Sequence, residues 1–355
     1  MAPDPILQGL DSGDITALAR AISLVENQRN GFERVLAHVH DRLGRTGTRR
    51  IGITGPPGAG KSTLTEQLIR AYRGRGLKVA VVAVDPTSPF SGGALLGDRI
   101  RMETAGTDPG VFIRSMATRG SIGGLANTTE EVCDVLDAFG FQRILIETVG
   151  VGQTELDVAR TAETTVLVLV PESGDGIQML KAGVMEIADV YVINKADRPG
   201  AEKMQREIEV MLGIRRGNAY RHVGAHHGPA VGRSSGRADE TPSATARPTD
   251  RPTAWEPVVL QTVAPKGDGI PALLDALDRH RAFLEASGRL TVRRRERLAE
   301  RTRAAVNRAV HQWVWEGSGA ESILTQALDD MEAGSRNPYE VAAEILEQAR
   351  SGATR

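Results

Sequence analysis

The sequence predicts an α/β fold: a parallel sheet flanked by helices, with an N-terminal helical segment before it and a C-terminal helical arm after it. Three observations predict it. Short apolar runs alternate with helix-forming stretches, the pattern of strands buried on both faces. The first run passes directly into a glycine loop and then a helix. Beyond residue 287 the chain turns arginine-rich and keeps apolar residues at helical spacing.

Taken in order, Ile15, Leu18, Ala21, Ile22, Leu24, Val25, Phe32, Val35, Leu36 and Val39 recur mostly at three- and four-residue intervals. Residues 15–43 therefore read as helix, within an N-terminal segment over 1–47. Strands are expected at 49–54, 78–84, 111–114, 143–147, 165–170, 190–193 and 258–262, with helices over 62–73 and 128–139 among them. These place an α/β domain at 48–286. Residues 215–254, rich in Gly, Ser, Thr, Pro and Arg, interrupt it without apolar periodicity and read as a loosely held insertion. The arm, 287–355, is expected to be helical over 291–315, 321–331 and 339–348, and its Leu298, Val306, Val310, Trp313 and Val314 need a surface to cover.

The 355 residues, 40% hydrophobic and 25% charged, can bury a real core, which excludes disorder, collagen and coiled coil for the chain as a whole. Forty-four basic against 45 acidic residues give a net charge of −1, without the basic excess of a nucleic-acid binder. A single cysteine, Cys133, excludes an intrachain disulfide and multi-cysteine metal motifs, and reads as a small buried hydrophobe. The N-terminus, with Asp4, Asp11 and Asp14, does not read as a signal peptide, and no stretch nears the roughly 18 apolar residues of a membrane span. A cytoplasmic protein that binds neither membrane nor nucleic acid is expected.

Gly55-Pro56-Pro57-Gly58-Ala59-Gly60-Lys61-Ser62 matches the eight-residue phosphate loop in full, in the right context of strand and helix. Its glycines let backbone N–H groups wrap phosphates, Lys61 reaches the β and γ oxygens, and the Ser62 hydroxyl faces magnesium. The fold expected is thus that of a P-loop NTPase. Asn194-Lys195-Ala196-Asp197 follows a strand, where a base-reading loop belongs. The Asp197 carboxylate can accept from the ring N–H and amine of guanine, a donor pair adenine lacks, and the Lys195 stem can cover the ring. Asp85, Asp98 and Glu147 stand at or near strand ends as candidate magnesium ligands or their outer shell. Three carboxylates cannot all be permanent ligands beside Ser62 and the nucleotide, so their division is open.

The run 147–155, Glu-Thr-Val-Gly-Val-Gly-Gln-Thr-Glu, resembles the MeaB/ArgK family of GTPases, as do Asp85-Pro86-Thr87-Ser88-Pro89 and Arg114-Ser115-Met116-Ala117-Thr118-Arg119-Gly120. The resemblance implies a GTPase that gates adenosylcobalamin loading, and protects or reactivates an adenosylcobalamin-dependent acyl-CoA mutase, chiefly methylmalonyl-CoA mutase. It also implies a cobalamin adenosyltransferase as second partner, a homodimer, and GTP or GDP with Mg2+ as ligands. It assigns Lys61, Ser62 and Thr63 to phosphate and magnesium, Asp85, Asp98 and Glu147 to the metal site, and Asn194 and Asp197 to guanine. Residues 147–155 correspond to the switch that senses the γ-phosphate, with Gly150 as backbone donor and Gln153 as candidate water-positioner. Residues 174–181 resemble a loop that answers the mutase, and Lys181 a lysine that reaches the nucleotide on docking. Where the family has Ser-Ala, this chain reads Val263-Ala264; the Ala264 N–H can still meet the guanine carbonyl.

Two rivals follow from the sequence. His222, His226 and His227 would suit a nickel-enzyme GTPase metallochaperone, although three histidines in a flexible segment read more simply as solvated. A transport-coupled ATPase or kinase would need to tolerate adenine, against Asn194 to Asp197. The run Arg293-Arg294-Arg295-Glu296-Arg297 reads as a solvated helix face packing on a partner subunit rather than a phosphate stripe. Trp313 and Trp315 suit either core or a dimer arm, and the resemblance favours the arm.

Overall fold

The computed structural model describes residues 4–85, 108–117, 124–148, 154–171, 184–215, 254–317 and 319–352. The N-terminal segment is helical, made of α1 (Pro5–Ser12), α2 (Ile15–Glu26) and α3 (Phe32–His40). Their starts are local chemistry: the Asp4 side chain accepts from the Ile6 amide, with Pro5 in the first turn, and Asp14 accepts from the amides of Thr16 and Ala17.

Seven strands follow: β1 (Arg49–Thr54), β2 (Val79–Asp85), β3 (Val111–Ala117), β4 (Arg143–Thr148), β5 (Thr164–Leu169), β6 (Val190–Asn194) and β7 (Val258–Thr262). They form one sheet in the order β3-β2-β4-β1-β5-β6-β7, with every neighbouring pair parallel. Between and after them lie α4 (Lys61–Gly74), α5 (Gly124–Phe139), α6 (Thr154–Thr161), α7 (Val184–Ile187), α8 (Ala201–Arg215) and α9 (Ile270–Ala286).

Alternation along the strands sends successive side chains to opposite faces. Val79 and Val81 join Ile51, Ile53, Val166 and Val168 on one face, under Leu64, Leu68 and Tyr72 of α4 and Leu273 and Leu277 of α9. Ala80, Val82, Ile144 and Ile146 face the other way, against Val132 and Leu136 of α5 and Leu18, Ile22, Val25 and Val35 of α2 and α3. The N-terminal helices thus share the core of the sheet. A further cluster packs Leu167, Leu169, Tyr191 and Ile193 against Ile208 and Leu212 of α8. Because all seven strands run one way, their carboxyl ends share one edge, where an open α/β sheet binds ligands.

The arm consists of α10 (Arg289–Gly317), α11 (Ala320–Glu332) and α12 (Pro338–Gly352), held by Val314, Ala320, Ala327, Val341, Ile345 and Ala349. Val306, Val310 and Trp313 remain exposed. The arginine run corrects the expectation of a solvated face reserved for a partner. Arg293 donates to the Glu163 carbonyl at 2.7 Å, Arg294 to the Glu163 carboxylate at 2.9 Å and Arg297 to the Thr161 carbonyl at 3.2 Å. The run fastens the arm to its own chain. Cys133 is fully buried, and burial pushes its thiol up to about 12. Most of the expected insertion, including His222, His226 and His227, lies outside the described residues.

Candidate nucleotide site

The phosphate loop leaves β1 at the middle of the sheet and enters α4. Two of its glycines are dictated by space and backbone. Gly55 has φ +143°, and a Cβ there would stand 2.1 Å from the Val168 carbonyl oxygen of β5. Gly60 has φ +87°, with an added Cβ 2.4 Å from Asn194 Nδ2. Gly58, Pro57 and the buried Ala59 complete the loop. Lys61 is buried, and its ammonium donates to the Gly55 carbonyl at 2.9 Å and the Pro56 carbonyl at 3.0 Å. Those neutral acceptors can yield to phosphate oxygens at small cost. Lys61, Ser62 and Thr63 occupy the first turn of α4, whose amides have no intrahelical acceptor and carry the positive end of the helix dipole.

Beside the loop, Glu147 lies near the end of β4, opposite Ile53 of β1 and Ala83 of β2, and is 4% exposed. Its Oε1 accepts from the Ser62 hydroxyl at 2.6 Å, and its Oε2 accepts from the Thr65 hydroxyl at 2.8 Å. A serine that donates its proton to a carboxylate keeps its oxygen lone pairs for a cation. Hard oxygen donors of this kind, next to a phosphate cradle, fit magnesium, which prefers oxygen ligands and retains waters. Next in the chain, Thr148 donates to Thr54 at 3.1 Å, tying the residue after Glu147 to the one before Gly55. Asp85 ends β2, with its backbone in register with Ala117; its side chain, and Asp98, Gly150, Gln153 and Lys181, lie outside the described residues.

The Asn-Lys-x-Asp loop is joined to the phosphate loop by side chains. Asn194, 1% exposed at the end of β6, donates to the Ala59 carbonyl at 2.8 Å and accepts from the Thr262 hydroxyl and the Ala264 amide, each at 3.1 Å. Lys195 takes a left-handed backbone, φ +57°, and donates to the Gly58 carbonyl at 2.9 Å. Asp197 is half-exposed, with Lys266 Nζ 4.0 Å from its carboxylate. The Ala264 amide, read as a donor to the guanine carbonyl, serves Asn194, and the Val263 amide donates to the Asp268 carbonyl at 3.1 Å. Asn194 is therefore a buried staple of three segments, 59, 194 and 262–264, before it is a reader of any base.

The site brings a phosphate loop, a carboxylate–hydroxyl pair and an Asn-Lys-x-Asp loop to one sheet edge, and residues 18–319 match the family model described as methylmalonyl-CoA mutase-associated GTPase MeaB. The chain belongs to the MeaB family. A Pyrococcus abyssi relative with a GTPase name is 43% identical over 98% of this chain and 97% of its own length. A Mus musculus relative, named methylmalonic aciduria type A homolog, mitochondrial, is 35% identical over 82% of this chain and 66% of its own. Among solved structures, one named LAO/AO transport system kinase aligns with a TM-score of 0.62 and 26% identity, covering 96% of this chain and 95% of that one.

This MeaB-family chain also holds residues that sequence reading missed. Thr65 lies inside a predicted helix with no motif of its own, and Thr54 and Thr148 read as plain strand residues. The one available signal was the three-residue spacing of Ser62 and Thr65, which puts both hydroxyls on one helix face.

Proposed function

We propose that the protein is a GTP-hydrolysing chaperone that gates adenosylcobalamin loading and protects or reactivates a cobalamin-dependent acyl-CoA mutase, with methylmalonyl-CoA mutase the partner its family description favours. The observation that carries the nucleotide part is the Asn194 staple, which locks the base loop to the phosphate loop with the Asp197 carboxylate at the rim. A nucleotide with two guanine donors satisfies that carboxylate; adenine leaves it unpaired. Ser62, Glu147 and Asp85 would hold the magnesium ion, which neutralises charge on the β and γ oxygens when bound. Lys61 exchanges two carbonyl acceptors for phosphate oxygens, and Gly58 to Thr63 supply backbone donors, Pro56 and Pro57 having no N–H to give. Asp98 answers the GTP-bound state, Gly150 donates to the γ-phosphate and Gln153 orients the water.

Turnover is slow alone and completed by the partner, since assembling a catalytic constellation only on docking is how induced fit obtains specificity. Lys181 then brings positive charge to the γ-phosphate; arginines in that role contribute about 10³- to 10⁵-fold, and a lysine point charge less. The arm, 287–355, is the homodimer contact, supported by the exposed Val306, Val310 and Trp313 of α10, Leu328 of α11 and Leu346 of α12. The test is GTP turnover with and without the mutase, in wild type and Lys181→Ala. The expected result is stimulation of the wild type and little of the variant. Equal binding of GTP and ATP, or no stimulation by the mutase, overturns the reading.

A further inference from the structure

Thr65 sits one turn beyond Ser62 on α4, is fully buried, and lies outside the phosphate-loop motif. A threonine hydroxyl inside a helix ordinarily returns its proton to the carbonyl four residues back. This one donates to Glu147 Oε2 at 2.8 Å, while Ser62 donates to Oε1 at 2.6 Å. Two hydroxyls one turn apart thus bracket the two oxygens of a single buried carboxylate and leave it little freedom to rotate. Packing alone would be served by valine, which has the same shape without a polar atom to satisfy.

We infer that Thr65 is a positioning residue for the cation site: it fixes the Glu147 carboxylate so that Oε1 holds the Ser62 hydroxyl with its lone pairs turned toward the metal. This rests on the reading of the site as a nucleotide and magnesium centre. Groups that orient a metal site from behind typically change metal affinity by about 10- to 100-fold when removed. Thr65 acts through Glu147 and touches neither nucleotide nor ion.

The test uses the full chain loaded with GDP, with Mn2+ as probe and its binding followed by electron paramagnetic resonance. Thr65→Val is expected to weaken Mn2+ about tenfold while leaving GDP affinity in excess chelator unchanged, because the phosphate loop is untouched. Thr65→Ser, which keeps the hydroxyl, is expected to restore Mn2+ affinity. Unchanged Mn2+ affinity in Thr65→Val overturns the inference. So does a parallel loss of chelator-insensitive GDP binding that serine does not rescue, since that is the behaviour of a packing residue. A wild-type chain that binds no GDP overturns the nucleotide reading itself, a result distinct from both.

Discussion

The two ends of the sheet are both rich in polar groups, and they are built on opposite principles. At the carboxyl edge, Lys61 rests on carbonyls, Glu147 on two hydroxyls, and Asn194 on an amide, a hydroxyl and a carbonyl. These carbonyl and hydroxyl partners of Lys61 and Glu147 are neutral and can be exchanged for ligand atoms. At the amino edge, where α10 meets α5 and β1, charge is matched directly with charge. Arg50 and Arg301 both pair with the buried Asp134, Arg281 and Arg294 with Glu163, and Arg308 with Glu131 at 2.9 Å. A cavity of about 270 Å³ among Arg50, Glu130, Asp134, Glu163, Arg297 and Arg301 marks the place. The difference teaches that a binding end keeps weak, replaceable partners, whereas a joint between elements uses pairs that are costly to separate.

The largest expected effect comes from breaking the joint. Asp134→Ala removes the carboxylate that Arg50 and Arg301 share and leaves Arg50 only Asp137, 3.9 Å away; breaking a buried pair costs up to about 3–5 kcal/mol. Denaturant unfolding should register that loss, while nucleotide affinity measured on the folded fraction stays as in wild type. A loss of GTP binding with unchanged stability would reverse the assignment of the two ends.

The same joint should titrate. Burial raises the Glu130 carboxyl to about 7 from a reference of 4.5, against the lowering effect of Arg50, Arg297 and Arg301 and with Asp134 adding to the rise. A carboxyl whose folded pKa exceeds its unfolded one is protonated more readily in the fold. Its ionisation therefore removes stability as pH rises from about 4.5 through about 7, with no further loss above. Relative to Glu130→Gln, the wild type should lose about 3 kcal/mol of stability between pH 4.5 and pH 8. His280, whose imidazole burial lowers to about 3, slopes the other way between about 3 and 6.5 but is present in both proteins and cancels. Parallel stability curves for the two proteins would exclude an uncompensated carboxyl at this joint.

At the opposite edge, Asp197→Asn should leave stability within about 0.5 kcal/mol, because the group is half-exposed, and weaken GTP by roughly 1.5–3 kcal/mol per lost charged hydrogen bond. Titration with fluorescent GTP and xanthosine triphosphate should find preference moving to the latter, which offers an acceptor where guanine has an amine. Smallest of all, Arg206→Ala removes an exposed ion pair to Glu202 on α8, at 3.2 Å, and should change unfolding free energy by under about 0.5 kcal/mol. A large effect there would mean that charge pairing in itself, and not burial, makes the joint costly.

What the sequence alone determined is what depends on neighbours along the chain. The phosphate loop, the Asn-Lys-x-Asp loop, the seven strands and the arm helices are local patterns, since glycine dihedrals, helix starts and apolar periodicity act within a few residues. What only the tertiary structure decided depends on residues distant in sequence. Thr65 and Glu147 are partners 82 residues apart, Asn194 reaches back 135 residues to Ala59, and Arg294 reaches 131 residues to Glu163. Nothing in a threonine inside a helix, or in an arginine run that looks solvated, announces which buried carboxylate it will meet. The pairing follows from strand order: placing β4 and β5 on either side of β1 brings Glu147 to the phosphate loop at one edge, while at the other the chain leaving α6 meets the arginines of the arm.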